Sequence, residues 1–307
     1  MSGTTPPDVI VGVDTHKQAH TAVAISAHGV RLAELTVPAD AKGYQDLASW
    51  ASSLGHVRAF GIEGTGSYGA GLSRFLHEKG YVVHEVARPD RALRHRQGKT
   101  DHLDAEAAAR TLLSGQAAAV PKSGTGEAEM IRHLKIARDT AVKGRTQAML
   151  TLKSIVLGAP AAFREQLEAI TGKMALLRHL AAMRPGPLTT TLASAKVSLR
   201  AIARRWLALN DEIKSHDIHL EQLTRRCAPT MVEAHGIGAG TAAEMLILVG
   251  DNPERIHSEA ALAKLCGACP IPASSGKTSK HRLSRSGHRQ ANAALHRVVV
   301  VRMRGHQ

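Results

Sequence analysis

The sequence of 307 residues predicts an α/β domain followed by a mainly helical (α) remainder. Up to residue 125, short apolar runs typical of strands alternate with helix-forming segments. From Gly126 to about residue 228 the strand pattern disappears and helix formers dominate. A glycine-rich turn then opens a last, mainly helical region. These changes predict three domains, at 1–125, 126–228 and 229–307.

The first domain is predicted to contain a mixed sheet with helices on its faces. In chain order we expect strands at 9–13, 20–26 and 31–37, a helix at 43–54, a strand at 57–62, a helix at 68–79 and a strand at 81–86. The first three strands form a meander of hairpins. The order β-β-β-α-β-α-β indicates a mixed sheet flanked by helices.

The middle domain has a heptad pattern, which predicts a helical hairpin or coiled coil. The seam residues are Leu199, Ile202, Trp206, Leu209, Ile213, His216, Leu220 and Leu223. Segment 128–157 is the hypothetical partner of this seam, and Pro185, Gly186 and Pro187 break the chain between them. We interpret His216 as a polar core residue rather than a ligand.

The third domain begins with Gly236, Gly238 and Gly240, which precede the apolar helix 242–249. Glycines at a helix entry leave the N-terminal amides free for a phosphate, as in helix-hairpin-helix contacts with DNA. The alternative is ordinary connection geometry. The basic sequence downstream favours the DNA interpretation.

The formal net charge of +14 favours a polyanionic partner. No acidic residue follows Glu259, whereas Lys and Arg recur to the end of the chain. Trp, Tyr and Phe make up only 3% of the residues, which argues against recognition by stacked bases. We therefore expect contacts with the backbone and grooves of double-stranded DNA. The predicted nucleic-acid-binding residues are Gly236, Gly238, Gly240, Lys277, Lys280, Arg282, Arg285 and Arg289.

Membrane and secreted locations are not expected. No apolar run approaches the ~18 residues of a membrane helix, and the N-terminus lacks the pattern of a signal peptide. Cys266 and Cys269 have no second pair at zinc-ribbon spacing, so buried thiols are the favoured interpretation. The expected location is the cytoplasm.

Four carboxylates follow predicted strands or open a predicted helix. Asp14 comes directly after strand 9–13 and Glu63 directly after strand 57–62, so adjacent strands would bring them together. Asp101 and Asp104 are three residues apart and share one face of a helix that continues to Leu113. Carboxylates gathered in this way need a cation, and Mg²⁺ is the hard ion that such oxygen ligands suit.

Each acid also has an ordinary structural interpretation. Asp101 would be an N-cap, Asp104 and Glu106 would interact with the helix dipole, and Glu63 would form a surface salt bridge. The four together favour a metal site that performs phosphoryl transfer.

The loop 270–278 offers hydroxyl groups before the basic stretch. A serine within it is a possible nucleophile, although Ser-Ser-Gly-Lys is usually ordinary loop sequence. It lacks the glycine spacing of a Walker A loop, so ATP binding is not expected.

The chain resembles the DEDD transposases of bacterial insertion sequences, a bridge-RNA-guided recombinase family that includes the pilin-gene inverting recombinases. The matching segments are 11–17, 61–66, 99–105, the run 236–267, Pro270, 275–277, 286–287 and 291–295. The first three segments have the order and spacing of the family's RuvC-like, RNase H-like domain. The others resemble its C-terminal transposase domain.

This resemblance implies that Asp14, Glu63, Asp101 and Asp104 hold catalytic Mg²⁺. It implies that Ser275 attacks the phosphodiester and forms a phosphoserine intermediate, with Ser274 as the alternative nucleophile. It also implies a structured noncoding guide RNA that pairs with donor and target DNA, and a dimer or tetramer with active sites shared between subunits. Family members continue with a further helical segment, so we expect this chain to be shortened at its C-terminus.

The residues alone are also compatible with two other functions. A RuvC-type, structure-selective Mg²⁺ nuclease would use the four acids without Ser275. A catalytically inactive DNA-binding protein would need only the basic end of the chain.

Overall fold

The computed structural model describes residues 6–86, 100–115, 118–274, 276 and 278–305. The chain divides into two compact units. The first consists of Met1–Gly126 and Val249–Leu262, and the second consists of Glu127–Leu248 and Ala263–Gln307. The division into three domains stays a prediction.

The first unit contains a six-stranded mixed sheet. Its strands are β1 (Asp8–Thr15), β2 (Ala19–Ser26), β3 (Arg31–Pro38), β4 (His56–Glu63), β5 (Val83–Val86) and β6 (Ala118–Ala119). The spatial order is β3-β2-β1-β4-β5-β6. The first three strands are antiparallel, β1, β4 and β5 are parallel, and β6 is antiparallel to β5. The predicted meander and mixed sheet are confirmed. The two-residue β6 was not predicted because it is too short to show alternation.

Helices cover both faces of this sheet. The helices are α1 (Ala41–Ser53), α2 (Ala70–Glu78) and α3 (Asp101–Leu113). One face of the sheet packs in a core with buried residues of α1 and α2, including Leu47 and Leu72. The opposite face buries Ile10, Val23 and Ile25 against α3. The alternation of apolar residues along β1 and β2 thus supplies two cores, one on each face.

The second unit is mainly helical. Its elements are α4 (Glu127–Leu157), α5 (Ala161–Glu168), α6 (Lys173–Ala182), α7 (Thr191–Cys227), α8 (Pro229–Glu233), α9 (Ala239–Val249), β7 (Ile271–Pro272), β8 (His281–Arg282) and α11 (Arg289–Gly305). The first unit also contains a 3₁₀ turn at Pro253–Arg255 and most of helix α10 (Glu259–Leu265). Strands β7 and β8 form an antiparallel hairpin. No helix in the described part of the chain is long and apolar enough to span a membrane.

Helices α4 and α7 lie antiparallel. Arg138 Nε donates to Asp217 Oδ1 at 2.5 Å, and Arg145 Nη1 donates to Asn210 Oδ1 at 2.7 Å. Residues later in α4 therefore contact residues earlier in α7. At the other end of the pair, Cys227 Sγ donates a hydrogen bond to Glu127. The heptad residues are buried or half-buried, so the predicted helix pairing is confirmed. Supercoiling of the pair stays a prediction.

Candidate active site

Asp14 and Glu63 lie side by side at the carboxyl ends of the two central strands β1 and β4. Strands β1 and β4 are parallel, and Val13 pairs with Ile62, so the next residue on each strand is a carboxylate. Thr15 Oγ1 donates to the backbone oxygen of Glu63 at 2.8 Å and ties the two strand ends together. The alternation of the strands directs Asp14 toward the face that α3 covers.

Helix α3 approaches the sheet closely because glycines lie beneath it. A β-carbon on Gly12 would overlap the carbonyl oxygen of Ala105 and the amide nitrogen of Ala109. A β-carbon on Gly61 would lie 3.2 Å from the carbonyl oxygen of Ala108. These contacts bring the first turn of α3, which carries Asp101 and Asp104, toward the end of β1.

The first turn of α3 has its own local support. The side chain of Thr100 is the N-cap and accepts a hydrogen bond from Leu103 N, so the interpretation of Asp101 as N-cap is wrong. Asp101 is half-exposed, whereas Asp104 is buried. Glu106 instead pairs with Arg110 and with Arg31 of β3.

Burial and nearby charges affect the pKa of Asp14. Asp14 is 7% exposed, and burial is the largest cause that raises the pKa of its carboxyl group. His16 opposes this rise in pKa, whereas the charges of Glu63, Asp101 and Asp104 add to it. The other three sequence-predicted acids are therefore close enough to Asp14 to act on it electrostatically.

His16 also faces this cluster, and the sequence analysis did not select it. Its Nε2 lies 3.0 Å from Asp14 Oδ2 and 3.4 Å from Asp101 Oδ1. Within the described ranges, Asp14, His16 and Asp101 form the one group of three or more potential metal ligands, with their ligand atoms all within 4.8 Å of one another. The sequence signals were its position two residues after Asp14 and its place in the matching segment 11–17, and neither distinguishes a ligand from an ordinary turn residue.

The predicted nucleophile Ser275 and its neighbour Lys277 lie outside the described residues. Ser274 closes the loop between β7 and β8. Its Oγ accepts a hydrogen bond from Lys280 N at 3.2 Å and donates to Lys280 O at 3.4 Å. Gly276 has φ +56°, a conformation that favours glycine.

The predicted basic residues Lys280, Arg282, Arg285 and Arg289 are all exposed. No ion pair joins any of the four to another residue of the described ranges. Arg282 and Arg285 line an open cleft with Ile271, Leu283 and Ser286. The cleft is an accessible cationic surface within the second unit.

The three glycines of the predicted helix-hairpin-helix entry differ in their surroundings. Gly236 has φ +83° and packs on α11, where its β-carbon would lie 3.4 Å from Val298 O. Arg302 Nε donates to His235 O at 2.9 Å in the same region. Gly238 and Gly240, at the start of α9, would have open space beside their β-carbons. Gly236 therefore packs against α11, whereas Gly238 and Gly240 have open space beside them; binding of nucleic acid by the three glycines stays a prediction.

Gly267 and Asn292 lie in the segments that resemble the transposase domain. They form contacts between the end of α10 and the region where α11 begins. A β-carbon on Gly267 would overlap Ser286 O, and Asn292 Nδ2 donates to Cys266 O at 3.1 Å. Cys266 is buried, and burial raises the pKa of its thiol. None of the three cysteines forms a disulfide, and neither Cys266 nor Cys269 belongs to a potential metal site among the described residues.

The comparisons with known families cover most of the chain. A model of DEDD transposases of the IS110 group matches residues 11–159. A second model, described as transposase IS116/IS110/IS902 family, matches residues 230–307. No curated protein matches the chain. The first match spans all four clustered carboxylates, and the second spans the hairpin and the exposed arginines. The chain belongs to the IS110 family of DEDD transposases, enzymes that act on DNA.

Proposed function

We propose that this transposase cuts and rejoins DNA as a site-specific recombinase of an insertion sequence, through a covalent serine–DNA intermediate. Asp14, Glu63, Asp101 and Asp104 hold the catalytic cation, and Ser275 is the nucleophile. The observation that carries the proposal is the convergence of three further carboxylates on the buried Asp14.

The donor set fits a divalent cation. Burial raises the pKa of Asp14, and the charges of Glu63, Asp101 and Asp104 raise this pKa further. Mg²⁺ prefers oxygen ligands and binds through a few carboxylates together with substrate phosphates. When bound, such a cation supplies charge neutralisation at the phosphodiester. The two strand ends and the first turn of α3 hold the four carboxylates in place.

Ser275 performs the covalent step. Its Oγ forms a bond to phosphorus, the bond between phosphorus and a deoxyribose oxygen breaks, and that oxygen leaves as a hydroxyl after protonation. The hydroxyl of another strand then attacks the phosphoserine and releases the serine. The phosphodiester energy is conserved, so strand exchange needs no ATP. The bonds of Ser274 to Lys280 support Ser275 as the nucleophile, because they already engage the neighbouring hydroxyl.

The nucleic-acid partners follow from charge and family. The exposed residues Lys280, Arg282, Arg285 and Arg289 support binding to the phosphate backbones of donor and target DNA. A structured noncoding guide RNA provides the sequence recognition. The active form is a homo-oligomer, a dimer or a tetramer, in the bacterial cytoplasm and associated with the nucleoid.

The test is covalent trapping on a nicked DNA substrate. With guide RNA and Mg²⁺, the wild-type chain should yield a protein–DNA adduct that survives SDS, and EDTA should prevent it. Asp14→Asn and Ser275→Ala should each abolish the adduct. Strand cleavage without any adduct would instead indicate a RuvC-type nuclease. DNA binding without cleavage would indicate a catalytically inactive DNA-binding protein.

A further inference from the structure

His16 occupies an unusual position for a turn residue. It directly follows β1, and its backbone nitrogen donates to Ala19 O at 3.1 Å, which fixes the turn into β2. The imidazole directs one atom, Nε2, toward two acids from different elements, Asp14 of β1 and Asp101 of α3. The side chain is 46% exposed, so its orientation is set by polar contacts, including the hydrogen bond with Asp14 Oδ2 at 3.0 Å, rather than by packing.

The spacing of the three groups matches that of ligands around one ion. Ligand atoms about 2.1 Å from an octahedral cation lie about 3 Å from their neighbours. The distances from Nε2 to the oxygens of Asp14 and Asp101 are 3.0 and 3.4 Å. A single ring nitrogen carries one proton or one lone pair, so it hydrogen-bonds well to only one of two oxygens. A cation bound among the three groups would instead accept a lone pair from the nitrogen and from both oxygens.

We propose that His16 Nε2 is a nitrogen ligand of the cation held by Asp14 and Asp101, and that it gives this site a preference for Mn²⁺ over Mg²⁺. The inference rests on the proposed metal dependence. Mg²⁺ selects oxygen ligands, whereas first-row transition ions accept imidazole more readily. Removal of the imidazole should therefore affect the two ions differently.

The competing role for His16 is that of a counter-ion. A protonated imidazole between Asp14 and Asp101 would neutralise the acids and would compete with any metal. In that case, removal of the imidazole would strengthen the binding of both ions. A nitrogen ligand predicts weaker binding, most of all for Mn²⁺.

The experiment uses the full chain after dialysis against EDTA. Mn²⁺ binding is followed by the loss of the free-ion EPR signal, and Mg²⁺ binding is followed by calorimetry. His16→Asn is compared with His28→Asn, which changes an exposed histidine in the turn between β2 and β3. Pulsed EPR of the wild-type Mn²⁺ complex detects a coordinated histidine nitrogen directly, without reliance on any variant.

We expect the wild type to bind Mn²⁺ more tightly than Mg²⁺ and to show nitrogen coupling. His16→Asn should lose the coupling and weaken Mn²⁺ binding by at least about tenfold, with a smaller effect on Mg²⁺. His28→Asn should behave as wild type. Binding of both ions without nitrogen coupling, or equal effects of His16→Asn on the two ions, would overturn only the ligand assignment. A wild type that binds neither ion would overturn the metal site itself.

Discussion

Gly12 of β1 pairs in register with Gly61 of β4, and both glycines face the backbone of α3. Two adjacent strands thus present a surface without side chains to the helix that carries Asp101 and Asp104. The close approach of α3 places these acids near Asp14 and Glu63. Two glycines that take no part in the chemistry therefore set the geometry of the cluster.

Gly12→Ala should destabilise the fold and weaken metal binding together. The added methyl group would overlap the backbone of α3, and overpacking of this kind costs about 1–3 kcal/mol. Urea unfolding would measure the loss of free energy, and calorimetry would measure the affinity for Mn²⁺. Gly66→Ala is the matched control, because nothing lies within 4 Å of its β-carbon position. Equal stabilities of the two variants would contradict the packing argument.

Each of the four acids should be needed for strand cleavage. Substitution of Asp14, Glu63, Asp101 or Asp104 by its amide should lower the cleavage rate by at least about a hundredfold, since charge stabilisation at the phosphate is lost. DNA binding in gel-shift assays should change little. EDTA should reproduce the loss, and added Mg²⁺ should reverse it. A variant that cleaves at the wild-type rate would remove that residue from the site.

The raised pKa of Asp14 predicts a specific pH dependence of stability. As the pH rises from the unfolded-state pKa near 3.8 to the higher folded-state pKa, the folded chain retains a proton that the unfolded chain has lost. Ionised Asp14 therefore destabilises the metal-free fold, and this cost is complete above the folded-state pKa. Asp14→Asn should raise the melting temperature in EDTA at neutral pH.

This gain in melting temperature should shrink as the pH falls below the folded-state pKa, where wild-type Asp14 is protonated. Added Mg²⁺ should stabilise the wild type more than Asp14→Asn. Identical melting temperatures across this pH range would show that Asp14 carries no electrostatic strain.

The exposed arginines should contribute to the salt dependence of DNA binding. Substitution of Arg282, Arg285 and Arg289 by Gln should reduce the slope of log K against log salt by roughly 0.9 for each duplex phosphate that is no longer neutralised. The control is Arg225→Gln, because Arg225 is already paired with Glu221 at 2.9 Å. An unchanged slope in the triple variant would mean that these arginines do not bind DNA.

The two loop serines should differ in their effects. Ser275→Ala should remove both the covalent adduct and recombination, and peptide mapping should find the wild-type adduct at Ser275. Ser275→Cys should retain at most a trace, since a thiolate is nucleophilic but binds Mg²⁺ poorly. Ser274→Ala should cost less, because it removes only the hydrogen bonds to Lys280. The reverse ranking would identify Ser274 as the nucleophile.

The local patterns of the sequence determined most of the elements. Period-two alternation predicted β1 to β3, and the heptad pattern predicted the long helix α7, since both depend only on neighbours along the chain. The same reasoning placed Asp14 and Glu63 directly after their strands, whereas both belong to the ends of those strands, and it placed Asp101 and Asp104 in the first turn of one helix. It placed β1 to β3 to within a few residues of their observed bounds, whereas α7 begins at Thr191, well before the first seam residue, Leu199.

The tertiary structure decided how those elements meet. The approach of α3 over Gly12 and Gly61, the direction of His16 toward two acids, and the packing of Gly236 on α11 each join residues from different elements. No local pattern specifies such contacts, because they depend on which strands pair and on how closely two backbones approach. Thus the sequence alone identified the four acids, whereas strand pairing and helix packing decided that His16 lies beside Asp14 and Asp101.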